Sequence, residues 1–264
     1  MFFTDKNMRF QETGSRTSNL ERSFTPKSFS FERVGSQRFT GFASLTLGIP
    51  GQARDQSRNS ESIQEPATGL YFAREYCTRG EKNCSSLAAV GVRAKRILGV
   101  KNVNVYAVGL YVDASAAKAR LSNYKGKSAD DLVNNSQFYR EFIAADGIEK
   151  TVRLKISYNG ITRGAFWKAL KERLEPPLEK AGEISTLEKF GGQFETVAFH
   201  RGLDIAFTCK GMTTVTRVDG REVGAITSAA LTEALLGVYM GDSPVSQGAK
   251  ENFGRGLAGV LNEA

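Results

Sequence analysis

Between Leu87 and Asp113 apolar residues crowd two arms, LAAVGVRAKRIL and KNVNVYAVGLYVD, on either side of Gly99-Val100. Val, Leu and Ala recur in both arms, with Ile in the first and Tyr in the second, and Gly-X between such arms signals a two-residue hairpin loop. With that loop Arg93 lies directly across from Tyr106. A four-residue loop pairs Arg93 with Val108 instead, yet Arg93 and Tyr106 stay on one face as diagonal neighbours, because side chains alternate along a strand.

The pattern beyond this hairpin predicts a mixture of helices and strands. A short strand is expected between Leu70 and Cys84, with a turn at Thr78-Arg79-Gly80-Glu81. Ala114 to Leu121 reads as helix. Ser128 sits three residues before Asp131 in a capping-box arrangement, and Leu132, Phe138 and Phe142 share one face of a single helix running to about Ala144. Thr151 to Tyr158 alternates as a strand and stops at Asn159-Gly160. Thr162 then caps a helix with the stripe Phe166, Ala169, Leu170 and Leu174, which Pro176-Pro177 terminates or kinks. Residues 183 to 194 are helical or irregular. Strands follow at Glu195 to Phe199, Leu203 to Cys209, Thr213 to Val218 and Arg221 to Ile226, the last two joined by the hairpin turn Asp219-Gly220.

Ala229 to Met240 carries a single charge, Glu233, so this helix is covered nearly all round. Ser243 as N-cap and Pro244 as first residue open a last helix that ends near Leu261. The order gives an α+β fold with helices on one face of a largely antiparallel sheet.

Composition changes this picture little. With 264 residues, 41% hydrophobic and 24% charged, the chain suits one domain plus a tail. No apolar run approaches the roughly 20 residues of a membrane-spanning helix, so an integral membrane segment is not expected. The net charge of +8 attracts anions, but Lys and Arg are spread among acids without a dense basic block, so nucleic acid is not an expected partner. Residues 1–66 hold no sustained period of either kind. This Arg- and Ser-containing stretch reads as a flexible leader, either an organelle transit peptide or a tail without an address, and residues 67–264 form the domain.

Few side chains suggest chemistry. Cys77, Cys84 and Cys209 are an odd set that does not resemble a disulfide scaffold, and the first two read as cysteines near a turn. The lone histidine, His200, reads as a turn residue and leaves too few parts for a histidine triad or a multi-histidine zinc site. Gly254, Gly256 and Gly259 spell G-x-G-x-x-G, but no strand precedes them and almost no chain follows, so they are not a dinucleotide loop. No cofactor, metal or catalytic nucleophile is expected. Arg93 and Tyr106 are the exception. A guanidinium fork and a phenol on one sheet face under helices suit a carboxylate, with Arg bidentate and Tyr donating a further bond. The residues alone leave a second reading open, in which Arg93 lies on an exposed face beside Lys95.

The segments GVRAKRILGVKNVNVYAVGLYVD, YKGKSADDLVNNSQFYREFI and VDGREVGAITSAALTEALLGVYMGDSPVS, in this order of elements, resemble the chalcone isomerase-like family over roughly residues 70 to 264. They are most similar to its plastid fatty-acid-binding branch. There an arginine in a GxR block and a tyrosine in a VYAxGxY block hold a fatty-acid carboxylate, and Arg93 and Tyr106 match both. The resemblance implies an open-faced β-sandwich in which a large antiparallel sheet is covered on one face by helices.

The isomerases of this family carry threonine where this chain has Tyr106, and their catalytic tyrosine and asparagine fall on Gly164 and Lys171 in an ungapped alignment. Their pocket threonine or serine falls near Val238. The implied function is therefore non-catalytic binding of long-chain fatty acids, by a monomer in the plastid (chloroplast stroma), with Val108, Leu110, Phe166, Leu170, Leu235 and Val238 lining the acyl tunnel. The alternatives are a chalcone-flavanone isomerase, an intramolecular lyase, and a non-enzymatic helper of flavonoid biosynthesis. Mitochondrion or cytoplasm are the alternative locations.

Overall fold

The computed structural model describes residues 62–77, 84–97 and 101–263. The expected leader up to residue 61, the turn at Thr78 to Glu81 and the Gly99-Val100 loop lie outside the described residues. The strands are β1 (Ser62–Gln64), β2 (Tyr71–Ala73), β3 (Glu75–Tyr76), β4 (Ser85–Ile97), β5 (Lys101–Val112), β6 (Lys150–Ile156), β7 (Asp204–Lys210), β8 (Thr213–Val218) and β9 (Arg221–Thr227). The helices are α1 (Ala114–Arg120), α2 (Ala129–Val133), α3 (Ser136–Ala144), α4 (Arg163–Lys180), α5 (Ile184–Gly192), α6 (Ala229–Met240) and α7 (Gln247–Asn262).

Strands β3 to β9 form one antiparallel sheet in chain order, so each strand pairs with its sequence neighbour, and β1 pairs with β2 in a separate ribbon. Alternation gives the sheet two unlike faces. On the inner face Val108 pairs with Leu154, Leu154 with Ile205 and Ile205 with Val218. These residues join the helical side chains Phe166, Leu170, Leu235 and Phe253 in one large core. On the outer face Ala107 and Tyr111 pack with Phe72 of β2 in a smaller core. The fold is α+β, an antiparallel sheet with a helical layer, as the pattern predicted.

The outer ribbon begins inside the stretch expected to lack core elements. Ser62–Gln64 is strand, and Glu65, 3% exposed, is held because its carboxylate accepts from Ala67 N, Thr68 N and Thr68 Oγ1. These local bonds carry no hydrophobic period.

Several expected boundaries move, each for a local reason. The single helix from Ser128 to Ala144 is two, because Asn134 closes α2 and the Asn135 side chain accepts from Phe138 N to open α3. Asn competes for backbone bonds in this way. Pro176 and Pro177 neither end α4 nor stop it before Lys180, since Leu174 and Leu178, both fully buried, hold its last turns on the core. Glu195 to Phe199 is turn and irregular chain, not strand. Both edges of β7 are already taken, by β6 and β8. Helix α7 starts three residues later than expected, because Ser246, not Ser243, is its cap: Ser246 Oγ accepts from Ala249 N and donates to Val92 O at 2.8 Å.

Candidate carboxylate site

Strands β4 and β5 bring Arg93 and Tyr106 opposite each other, as the hairpin reading required. The route differs. Ile97 pairs with Lys101 and Ala94 with Asn104, a register one residue off that of Arg93 and Tyr106, and the bulge at Val105 absorbs the difference. A second bulge at Ala88 returns the register, so that Leu87 faces Tyr111.

The shared face is the inner one. Gly91, two residues before Arg93, abuts α7: a Cβ there would stand 2.7 Å from Ala249 Cβ and 2.8 Å from Ala249 Cα, so glycine permits the close approach of helix and strand. Asn252 Nδ2 and Ser246 Oγ of α7 also donate to the Val90 and Val92 carbonyls of β4. Lys95 is exposed, whereas Arg93 is half-buried. Arg93 Nη1 donates to the Ala94 carbonyl at 2.6 Å, which leaves its other guanidinium donors for a ligand.

The site contains a third polar group that the sequence reading missed. Tyr239 of α6 is buried, and its hydroxyl is a close neighbour of that of Tyr106. Burial pushes the Tyr106 phenol up to about 12, against the opposing effects of the Tyr239 hydroxyl and the Arg93 charge. Burial first, and then Tyr106 itself, raises Tyr239 well above the ordinary tyrosine value, and Arg93 pulls the other way. Both phenols are therefore neutral donors at physiological pH. The signal for Tyr239 was present in its neighbour Val238, which the alignment had placed in the pocket, but α6 is apolar nearly all round and its pattern does not single out one face.

The expected tunnel residues all fall in the core that holds Tyr106. Val108 and Leu110 continue the inner face of β5, Phe166 and Leu170 come from α4, and Leu235 and Val238 from α6. Phe166 also meets Phe194 edge-on, with ring centroids 5.6 Å apart. Gly164 and Lys171 do not join this core. They line a groove of about 850 Å³ between α4 and α5, with Trp167, Leu187 and Gly191, and Lys171 pairs with Glu175 at 3.3 Å.

Elsewhere, His200 is an exposed loop residue whose Nδ1 lies 3.0 Å from the Arg201 carbonyl. The three glycines of the G-x-G-x-x-G run lie within α7, where Gly256 abuts the Ala88 carbonyl and Gly254 the Tyr139 ring. Gly254 and Gly256 serve helix packing. Among the described residues, the grouping with donors suited to a metal is Glu75, Cys77 and Cys84, but Cys77 and Cys84 are joined as a disulfide. This corrects the expectation of two unpaired cysteines near a turn. Pairing of Tyr76 with Ser85 sets the next residues outward, Cys77 and Cys84, side by side, a juxtaposition their spacing alone did not disclose. Among the described residues no helix is long and apolar enough to cross a membrane.

Comparison with known proteins agrees with this architecture. The chain is 33% identical over 225 residues to Fatty-acid-binding protein 2 of Arabidopsis thaliana, covering 81% of this chain and 54% of that one. It therefore spans about half the length of that relative. Fatty-acid-binding protein 1 of the same plant is 30% identical over 199 residues, covering 73% of this chain and 69% of the relative. The crystal structure of an Arabidopsis thaliana fatty-acid binding protein superimposes with a TM-score of 0.66 at 29% identity, covering 76% of this chain and 99% of that one. The chalcone-flavanone isomerase family matches across residues 70–260, the span that carries the sheet, its helices and the Arg93–Tyr106 pair, and the chain belongs to that family.

Proposed function

We propose that this protein binds a long-chain fatty acid without transforming it. The carboxylate sits on Arg93 and Tyr106, and the acyl chain runs between sheet and helices past Val108, Leu110, Phe166, Leu170, Leu235 and Val238. The observation that carries the reading is the direct cross-strand pairing of Arg93 with Tyr106 on the helix-covered face. The Arabidopsis relatives, named for fatty-acid binding, support the ligand class. A guanidinium and a neutral phenol give charge-assisted bonds worth about 1.5–3 kcal/mol each. Each buried methylene adds about 0.8 kcal/mol. No cofactor or metal is required for this binding.

Tyr239 completes the donor set. When its hydroxyl donates to the Tyr106 oxygen, the Tyr106 proton is free for the ligand. The protein acts as a monomer in the plastid stroma under this proposal, which a fluorescent fusion and native mass spectrometry test. The main experiment is binding of a long-chain fatty acid to delipidated protein by calorimetry. Arg93→Ala binding as tightly as wild type would sink the assignment.

The family match favours a second reading, intramolecular cyclisation of a chalcone. Gly164 and Lys171, which stand at the isomerases' tyrosine and asparagine positions in the ungapped alignment, line the outer groove and supply neither group. Turnover of a chalcone above its uncatalysed rate, lost in Tyr106→Phe, would replace the binding reading.

A further inference from the structure

The segment from Ser62 to Cys77 lies on the outer face of the sheet, away from the carboxylate site. Phe72 fills the small outer core, against Gly109, where a Cβ would stand 2.8 Å from Phe72 Cδ1. Tyr111 Oη donates to the Ala73 carbonyl at 2.9 Å, Lys155 Nζ to Tyr71 O at 2.8 Å and Asn104 Nδ2 to Ala67 O at 2.8 Å. The segment joins the sheet itself through β3, a two-residue edge strand paired with Ser85 and Ser86, and through Leu87 N donating to Arg74 O. The Cys77–Cys84 disulfide is the covalent tie at the end of that strand.

Its exposure and its place at the sheet edge mark this bond as reactive, not structural. Cys77 is exposed and Cys84 half-buried, so a reductant reaches the sulfurs without unfolding the sheet. Exposed disulfides are the labile ones, whereas structural bridges are shielded. The bond also lies at the sheet edge and ties in a strand that has almost no ladder of its own. The third cysteine, Cys209, is buried on β7 with its thiol pushed up to about 11 by burial, so it does not exchange with the pair.

We infer that Cys77–Cys84 is a reversible thiol–disulfide modification site that clamps residues 62–77 onto the outer face of the sheet and releases them on reduction. The reductant is a dithiol. One of its thiolates attacks a sulfur of the pair and the S–S bond breaks; its second thiol then displaces the mixed disulfide. Two electrons and two protons pass to Cys77 and Cys84, and the dithiol becomes a disulfide. Release bares Phe72 and Tyr111, and with them Arg153, which binds Asp204 through Nε at 3.0 Å and Nη2 at 2.6 Å and lies 5.3 Å from the centroid of the Tyr76 ring.

The test uses the full chain, purified without reductant and then equilibrated with dithiothreitol. Alkylation before reduction labels neither Cys77 nor Cys84, and after mild reduction labels both, with Cys209 labelled only on denaturation. Hydrogen exchange of the amides of Gly69 and Leu87, which bond within the segment and across to it, speeds up by about tenfold on reduction. Amides of β6 and β7 keep their rates. The Cys77→Ser/Cys84→Ser double variant exchanges like the reduced wild type with or without dithiothreitol. Labelling of both cysteines in unreduced protein, or equal exchange of the segment in the oxidised, reduced and double-variant proteins, would overturn the inference.

Discussion

Arg93 and Tyr106 face each other across β4 and β5 only because Val105 is bulged out of the ladder between the hairpin end and the site. Without that extra residue the register of the hairpin end, in which Ala94 faces Asn104, would run on and set Val105 opposite Arg93. A bulge thus aims the phenol at the guanidinium. The arrangement is built from backbone register, so the side chains themselves are free to be exchanged without refolding the strands.

The Tyr106–Tyr239 pair makes a first prediction. Both hydroxyls are buried, and deleting one strands the other, which costs about 1–3 kcal/mol, whereas deleting both removes the polar requirement altogether. Tyr106→Phe and Tyr239→Phe are each expected to destabilise the protein to denaturant. The double variant falls well short of their sum. A strictly additive double variant would show that the two hydroxyls do not act as a pair.

How far this site was legible in the sequence follows from the same residues. Arg93 and Tyr106 were readable because strand alternation puts them on one face for any even loop, and the bulge that changed the loop restored their pairing. Tyr239 was not, because α6 is buried on most sides and its apolar residues mark no direction. The cysteine pair was hidden for another reason: it depends on the tertiary pairing of Tyr76 with Ser85, and a two-residue strand has no period to read. Helix boundaries shifted where Asn135 and Ser246 supplied caps that competed with the expected ones.

The glycines of α7 separate by what surrounds them. A Cβ at Gly256 would collide with the Ala88 carbonyl, a backbone atom of the β4 bulge, and the helix must move off the strand to admit it. Gly256→Ala is expected to lower stability by about 1–3 kcal/mol. At Gly259 nothing stands within 4 Å of a Cβ, and Gly259→Ala gains helix propensity, up to about 1 kcal/mol. Thermal unfolding of the two variants checks this; equal shifts in one direction would contradict the packing.

Lys150 sets a pH dependence. It is buried, donates Nζ to the Ile143 and Ala145 carbonyls at 3.2 and 2.7 Å, and burial holds its amine down at about 8. A folded value below the ordinary lysine value of 10.5 means that folding favours the neutral amine. The stability it contributes is present above pH 10.5 and is lost as pH falls through about 8. Wild type minus Lys150→Met, measured by denaturant unfolding across that window, should therefore gain stability with rising pH, by on the order of 2–3 kcal/mol. A flat difference would mean the amine is solvated.

A chain-length series distinguishes head-group from tail contributions. If the acyl chain lies in the core between β5, α4 and α6, each added methylene contributes about 0.8 kcal/mol, so affinity rises about fourfold per carbon until the space is filled. The carboxylate contacts are common to every member. Arg93→Ala is expected to lower the affinity of each fatty acid by the same factor, between about tenfold and a hundredfold, and to leave the slope with chain length unchanged. Calorimetric titration of saturated fatty acids of increasing length into both proteins provides the two lines. Parallel lines place the head on Arg93 and the tail in the core; a loss confined to the long members would mean instead that Arg93 shapes the tail's path and the carboxylate is held elsewhere.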